Sequence, residues 1–333
     1  LGYEPHLGLL VPLDPGETPD VWKLVNDAGK GRYLRCESLD PPSGCNWLVR
    51  VDGTGATMCK SCRLERVIPN LRDPANGPAY RRIAVAKRRL VAVLLSLGLP
   101  VLSRNEDPQH GLAFDFLRSP SGGPAIITGH KEGVITLNID EAEDSIRENI
   151  RIQMGEQYRT LLGHLRHETG HYYWDRLVHE GPWLQEFRDR FGDERQDYNR
   201  ALVTHYQNGP PGNWQEQFVS AYASAHPWED WAESWAHLLH MEDTYSTAVS
   251  FGVDPRSSLD LTVEPFEQDA LPNSPEATKF LRFINDWTRL TSVMNELSRA
   301  MGQHDFYPFV LSRRAVAKLY FIHRVIEAST VTT

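Results

Sequence analysis

Apolar residues recur every three or four positions through most of the second half of this chain, and alternate only in short stretches of the first. From Asp73-Pro74 a strongly apolar run carrying Ile83, Leu90 and Leu94 continues to Leu97, where Gly98 and Pro100 stop it, which predicts one helix. Ala113–Leu117, Ala125–Thr128 and Val134–Ile139 read as strands, the last two joined by Gly129-His-Lys-Glu-Gly as a hairpin connection. After Asp140 the pattern is helical, with breaks at Gly181-Pro182, at Gly209-Pro-Pro-Gly and in a loop over Gly252–Pro275. Proline-free Leu161–Val178 places Leu161, Leu165, Tyr172 and Leu177 at helical spacing. In Pro227–His240 the stripe is Trp231, Trp235 and Leu238, and the long helices Glu276–Met301 and Pro308–Ala328 close the chain. Leu1 to about Leu71 shows neither period and reads as loop- and turn-rich; no internal repeat is present. The expected class is α+β, mainly helical with a short antiparallel sheet, divided into 1–72 and 73–333.

Composition narrows the partners. With 333 residues, 41% hydrophobic and 24% charged, the chain has the makeup of a folded domain or two, not of a disordered segment. A net charge of −9 argues against general nucleic-acid binding. Arg81, Arg82, Lys87, Arg88 and Arg89 form a basic cluster, expected to be the wet face of the helix that buries Ile83, Leu90 and Leu94; a phosphate or nucleic-acid contact is the alternative. No membrane-length apolar run or signal peptide is visible, so a cytoplasmic protein without a membrane partner is expected.

The candidate chemistry sits in the proline-free helix, as His167-Glu168-Thr169-Gly170-His171, an H-E-x-x-H pattern. Positions i and i+4 share one helix face a turn apart, so both imidazoles can reach one metal ion, usually Zn²⁺. Glu168 stands where its carboxylate can take a proton from a metal-bound water. The bland alternative is an exposed helix that happens to carry histidines. Gly170 costs such a helix about 1 kcal/mol relative to alanine, which makes sense if another backbone or a substrate must pass close to it. A hydrolytic zinc site also needs a third protein ligand and an open fourth position. Glu229 and Glu233, again i and i+4, can supply it: one binds the metal while the other accepts the spare N–H of a ligand histidine. The spacing leaves open which does which, and both also suit a helix N-terminus as ordinary acids. Trp228, Trp231, Trp235, Tyr172, Tyr173 and Trp174 either line a pocket or pack between the two helices, the second being expected for most.

Cys36, Cys45, Cys59 and Cys62 fall within one short stretch that ends in C-x-x-C. Four thiolates around a tetrahedral Zn²⁺ make a closed, structural site. Two disulfides are the competing reading, less favoured in a reducing compartment. Redox catalysis by Cys59 and Cys62 lacks the surrounding βαβ pattern it needs.

H-E-T-G-H followed by Glu229-Asp-Trp-Ala-Glu233 resembles the gluzincin arrangement. That resemblance implies Glu229 as the zinc ligand and Glu233 as its support. Lethal-factor-like gluzincins also place a tyrosine two helical turns ahead of the ligand glutamate; Tyr222, seven residues before Glu229, matches it and is implied to stabilise the oxyanion. More closely, the chain is similar to a bacterial family of zinc-binding metallopeptidases with a cysteine-bearing, zinc-ribbon-like N-terminal region. The shared segments are Leu1-Gly-Tyr-Glu-Pro, Gly44-Cys-Asn-Trp-Leu-Val, Cys59-Lys-Ser-Cys-Arg-Leu-Glu-Arg-Val-Ile-Pro, Lys87-Arg-Arg-Leu, His167–Trp174 and His226-Pro-Trp-Glu-Asp-Trp-Ala-Glu-Ser-Trp-Ala-His. Members usually open with a further C-x-x-C…C-x-x-C ribbon; this chain starts at Leu1 without it, which leads to the expectation of an N-terminal piece that was cut, disordered or never present.

The resemblance implies a zincin-like metallopeptidase domain behind the cysteine-rich module, with one catalytic and one structural Zn²⁺. A peptide or protein is the implied substrate, and Glu168 the general base. In zincins a strand shortly before the metal helix bounds the cleft as a sheet edge; Val134–Ile139 is either that edge or a core-facing member. Two other classes stay open: a catalytically silent zinc-binding scaffold, and a nucleic-acid-linked protein using the cysteine module as a finger.

Overall fold

Contact density divides the chain, in a computed structural model describing residues 1–16, 18–25, 31–120, 122–123, 126–153, 156–254 and 265–330, into two units. The first comprises Leu1–Ile150 with Thr160–Glu168, the second Arg151–Arg159 with Thr169–Val331.

All ten strands among the described residues belong to the first unit. β1 (Gly2–Glu4) and β2 (Leu9–Val11) form an antiparallel pair. β3 (Leu13–Pro15), β4 (Val21–Leu24), β5 (Tyr33–Arg35) and β6 (Leu48–Arg50) follow as an antiparallel meander. Leu24, Tyr33 and Leu48 form its small core, with Val11 and Leu13 packed against them. The cysteine region is therefore strand-bearing where the sequence read as loop and turn. Strands of three or four residues are too short to display a period of two.

The second four-stranded sheet has the order β7 (Glu65–Val67), β8 (Ala113–Leu117), β10 (Val134–Asn138), β9 (Gly129–Lys131). β8 pairs in parallel with both β7 and β10, and β9 pairs antiparallel with β10. Glu132 and Gly133 both have positive φ, 49° and 78°, and make a two-residue turn of the kind that matches strand twist. That tight turn draws Gly129–Lys131 into the hairpin, where a five-residue connection was expected. Residues 126–128 of the expected strand 125–128 are not strand, and residue 125 lies outside the described residues. β10 is an interior strand, with Ile135 and Leu137 fully buried, so the sheet edge falls to β9.

Helix α1 (Asn76–Ser96) buries Ile83, Leu90 and Leu94 as its pattern predicts. Its basic cluster is not uniformly wet. Arg81, Arg82 and Arg89 are exposed, whereas Lys87 and Arg88 are buried. Lys87 Nζ donates to the Ser61 carbonyl at 2.7 Å and to the Glu65 carboxylate, while Arg88 donates to Ser43 Oγ at 3.2 Å and to its carbonyl at 3.1 Å. Both cations thus hold turns of the cysteine region, a use that charge patterning cannot reveal. Lys87→Met takes the cation from the Glu65 carboxylate, leaving it the Tyr80 hydroxyl at 2.6 Å, and is expected to cost about 3 kcal/mol in urea unfolding. A loss below about 1 kcal/mol would show the ammonium to be dispensable.

Helices α2 (Asp144–Gln153) and α3 (Leu161–Leu177) each cross from one unit to the other; α4 (Leu184–Phe191), α5 (Tyr198–Asn208), α6 (Pro227–Ser250), α7 (Pro275–Ala300) and α8 (Arg313–Thr330) complete the second. α7 starts where Ser274 Oγ accepts the Ala277 N–H, followed by Pro275 in the first turn. α8 begins at Arg313, later than expected from Pro308, because Ser312 Oγ caps the Ala315 N–H. Trp231, Trp235, Trp287, Phe187, Phe280 and Phe321 are among the large fully buried side chains of this unit's core. Residues 255–264 of the expected loop 252–275 lie outside the described residues. No helix among the described residues is long and apolar enough to cross a membrane.

On α6, burial pushes the Glu242 carboxyl up to about 7 from its ordinary 4.5; Lys279 opposes the shift and Glu327 adds to it. The folded state then binds this proton more tightly than the unfolded chain, so its share of stability falls as pH rises from about 4.5 to about 7. Glu242→Gln is expected to melt higher than the wild type near pH 8 and equally near pH 4.5, by calorimetry at about those two values.

Candidate metal centres

α3 is buried along nearly its whole length, which explains why it shows no single wet face. Thr169 is fully buried, and at Gly170 the backbone of α6 passes close by. A Cβ at Gly170 would stand 2.8 Å from Ala232 Cα and 3.2 Å from Trp235 Cβ, so backbone meets backbone there. The Trp231 indole N–H donates to the Gly170 carbonyl at 2.8 Å, fixing the register of the two helices. The passing backbone anticipated from Gly170 is that of α6. Gly170→Ala, although it raises helix propensity, is expected to destabilise by about 1–3 kcal/mol in chemical denaturation, since overpacking outweighs propensity here. A neutral or stabilising result would refute the close approach.

α6 owes its start to His226. Its Nδ1 accepts the Trp228 N–H at 3.1 Å, Pro227 opens the first turn, and Nε2, 3.2 Å from the Gln196 carbonyl, is left as the donor. Glu229 and Asp230 lie in that first turn, where the positive end of the helix dipole favours carboxylates.

Within this frame His167, His171 and Glu229 come together. One ligand atom from each lies within 4.8 Å of the others, and all three residues are buried. His171 Nε2 is 3.6 Å from Glu229 Oε1. Donors about 2.1 Å from a tetrahedral Zn²⁺ stand about 3.4 Å apart, so an imidazole–imidazole–carboxylate set at this spacing fits the ion. Among the described residues the group stops at three protein donors, the count of a zinc site that keeps a place for water.

The surroundings orient these donors. The Tyr198 hydroxyl donates to Glu229 Oε1 at 2.7 Å, a contact no motif signals; Tyr198 follows Asp197, whose carboxylate caps α5 through the Arg200 N–H. The Trp228 ring packs on His171 with centroids 3.9 Å apart and is only half-buried. Trp231, Trp235, Tyr172, Tyr173 and Trp174 are all buried in the core, leaving Trp228 as the exception in the aromatic set. Glu233 accepts a hydrogen bond from Ser220 Oγ at 2.5 Å. Tyr222 begins a single turn, Tyr222–Ser224; burial and then the nearby Glu229 charge push its phenol well above the ordinary value, so it is a neutral donor. Asp230 is fully buried and takes the Lys318 ammonium of α8, which also donates to the Gln217 carbonyl at 2.9 Å.

Glu168 is buried, and its Oε1 lies 3.3 Å from His164 Nε2, one turn earlier on α3. His164 Nδ1 is 2.9 Å from Glu141 Oε2. Burial pulls the His164 pKa down, but the hydrogen bonds and charges of Glu141 and Glu168 push it up to about 9.

The four cysteines are free, buried and gathered, with all sulfurs within 4.8 Å of one another. Cys45 Sγ and Cys59 Sγ are 3.6 Å apart, far beyond a disulfide and close to the roughly 3.8 Å between sulfurs on tetrahedral Zn²⁺. The Cys59 N–H points at Cys36 Sγ (3.3 Å) and the Cys62 N–H at Cys59 Sγ (3.4 Å), donors that stabilise thiolates.

A family model described as a putative zinc-binding metallo-peptidase matches residues 76–325, and another, described as a zinc-ribbon domain, matches residues 1–73. Uncharacterized proteins of Mycobacterium tuberculosis (strain ATCC 25618 / H37Rv) and Mycobacterium bovis are each 44% identical over 284 residues, 85% of this chain and 80% of theirs. No solved structure matches.

Proposed function

We propose a hydrolytic role from one premise: the chain belongs to the family of putative zinc-binding metallo-peptidases, with a zinc ribbon at its N-terminal side. It is a zinc-dependent peptidase, and the convergence of His167, His171 and Glu229 is the observation that carries this reading. These three would hold the catalytic ion, and Cys36, Cys45, Cys59 and Cys62 a second, structural one. Bound to the first set, Zn²⁺ would supply Lewis acidity, bringing the pKa of water towards neutrality and polarising a carbonyl.

The chain's own groups do the rest. The Glu168 carboxylate accepts a proton as water attacks the peptide carbonyl carbon, then returns it to the departing amine when the C–N bond breaks. Tyr222, kept neutral, donates its hydroxyl to the oxyanion, a contribution of about 3 kcal/mol. Tyr198 fixes the Glu229 carboxylate, and Glu233, held by the Ser220 hydroxyl, is the supporting acid one turn further along α6. Trp228, half-buried over His171, offers a wall for a substrate side chain. Buried free thiols suit a reducing cytoplasm, and the substrate is a peptide or protein.

Proteome-wide profiling of new N-termini, wild type beside Glu168→Gln, tests the reading. Cleavages unique to the wild type are expected, with about two zinc ions per chain by elemental analysis. Identical profiles would replace the peptidase with a silent zinc-binding scaffold.

A further inference from the structure

We propose that His164 is a positioning residue for Glu168, itself held in place by Glu141 and Thr128. This rests on the reading of Glu168 as the proton acceptor.

The direction of each hydrogen bond can be followed outward from the sheet. Asn138 N–H donates to Thr128 Oγ1 at 3.1 Å, so that hydroxyl oxygen is an acceptor and its proton points onward, to Glu141 Oε1 at 2.5 Å. The other carboxylate oxygen of Glu141, Oε2, faces His164 Nδ1 at 2.9 Å, and a carboxylate there makes Nδ1 the donor. Glu141 occupies the single turn Ile139–Ala142 directly after β10, a turn capped by the Asn138 side chain and held to α1 by Arg82, which donates to the Ala142 carbonyl at 2.7 Å. The far side of the ring, Nε2, meets Glu168 Oε1 at 3.3 Å across one turn of α3.

With a carboxylate at each ring nitrogen the ring donates at both only as the imidazolium, and in that form it ties a buried carboxylate on the sheet side to the buried carboxylate of H-E-x-x-H. With Oε1 of Glu168 occupied, the plane of that carboxylate is set before any substrate arrives. Rotation out of plane would break the bond, so the acceptor is preorganised rather than recruited. All members of this chain lie in one unit. The role needs the Nε2 side of the ring specifically; the Nδ1 side only holds the ring.

Two polar variants separate those sides. His164→Gln carries an amide N–H to the place of Nε2, and His164→Asn carries one to the place of Nδ1. The probe is acetohydroxamate, which chelates zinc after handing a proton to a nearby acceptor, so its affinity reports where Glu168 is held without any peptide substrate. Calorimetry on the zinc-loaded full chain, at equal zinc content, is expected to give His164→Gln within about threefold of the wild type and His164→Asn weaker by about tenfold or more. A merely structural histidine would leave the two alike. Equal affinities, both strong or both weak, overturn the assignment. Glu168→Gln binding the probe as tightly as the wild type would instead remove the proton-acceptor reading, whatever His164 does. If neither histidine variant loads zinc, the Nε2 proton of the wild type is followed by NMR. Glu168→Gln must move that resonance, and an unmoved one overturns the proposal.

Discussion

Glu168→Gln is expected to keep both zinc ions and to lose turnover by about 10²–10⁴-fold, the usual worth of a positioned general base. The amide is nearly isosteric with the carboxylate, so the buried packing around Glu168 is preserved and the metal ligands are untouched. What it lacks is an oxygen basic enough to hold a proton between attack and departure of the amine. Elemental analysis and initial rates at the cleavage sites unique to the wild type check the two halves separately. A variant with full zinc and full rate would transfer the base role elsewhere. A variant that loses zinc would show that the side chain was needed for the fold of the site.

Glu229→Ala is expected to empty one of the two metal sites and leave the other filled. The substitution removes one of three donors and also the acceptor of the Tyr198 hydroxyl, so metal affinity there falls by more than about 100-fold, the upper end for losing a mere outer partner. The cysteine site shares no residue with it and keeps its zinc. Measured metal content should therefore drop by about one equivalent, with loss of activity. Retention at full occupancy would pass the ligand role to Glu233, Asp230 or another residue.

The sequence was most legible where one spacing had one meaning. The i, i+4 pair His167 and His171 falls on a single helix turn, and Gly170 announces the close backbone of α6. Cys36, Cys45, Cys59 and Cys62 gather as their short separation suggested. Legibility failed where tertiary packing reverses a local pattern. Lys87 and Arg88 look like surface charges until the turns around Ser61 and Ser43 close over them. The hairpin register depended on Glu132 adopting positive φ, which its residue type does not signal. Tyr198, Glu141 and His164 were missed for a related reason. Each acts on a partner from another element or through a direction of hydrogen bonding, and a pattern of residue types encodes neither.

The contact between Asp230 and Lys318 extends the reach of the site to the last helix of the chain. Asp230 neighbours Glu229 in sequence, is fully buried, and has its charge balanced by an ammonium 88 positions downstream. A polypeptide trimmed after α7 would retain every donor assigned to either ion and yet strand an acid beside one of them. Loss of α8 would therefore reach metal chemistry as well as the packing that Phe321 and Leu319 supply.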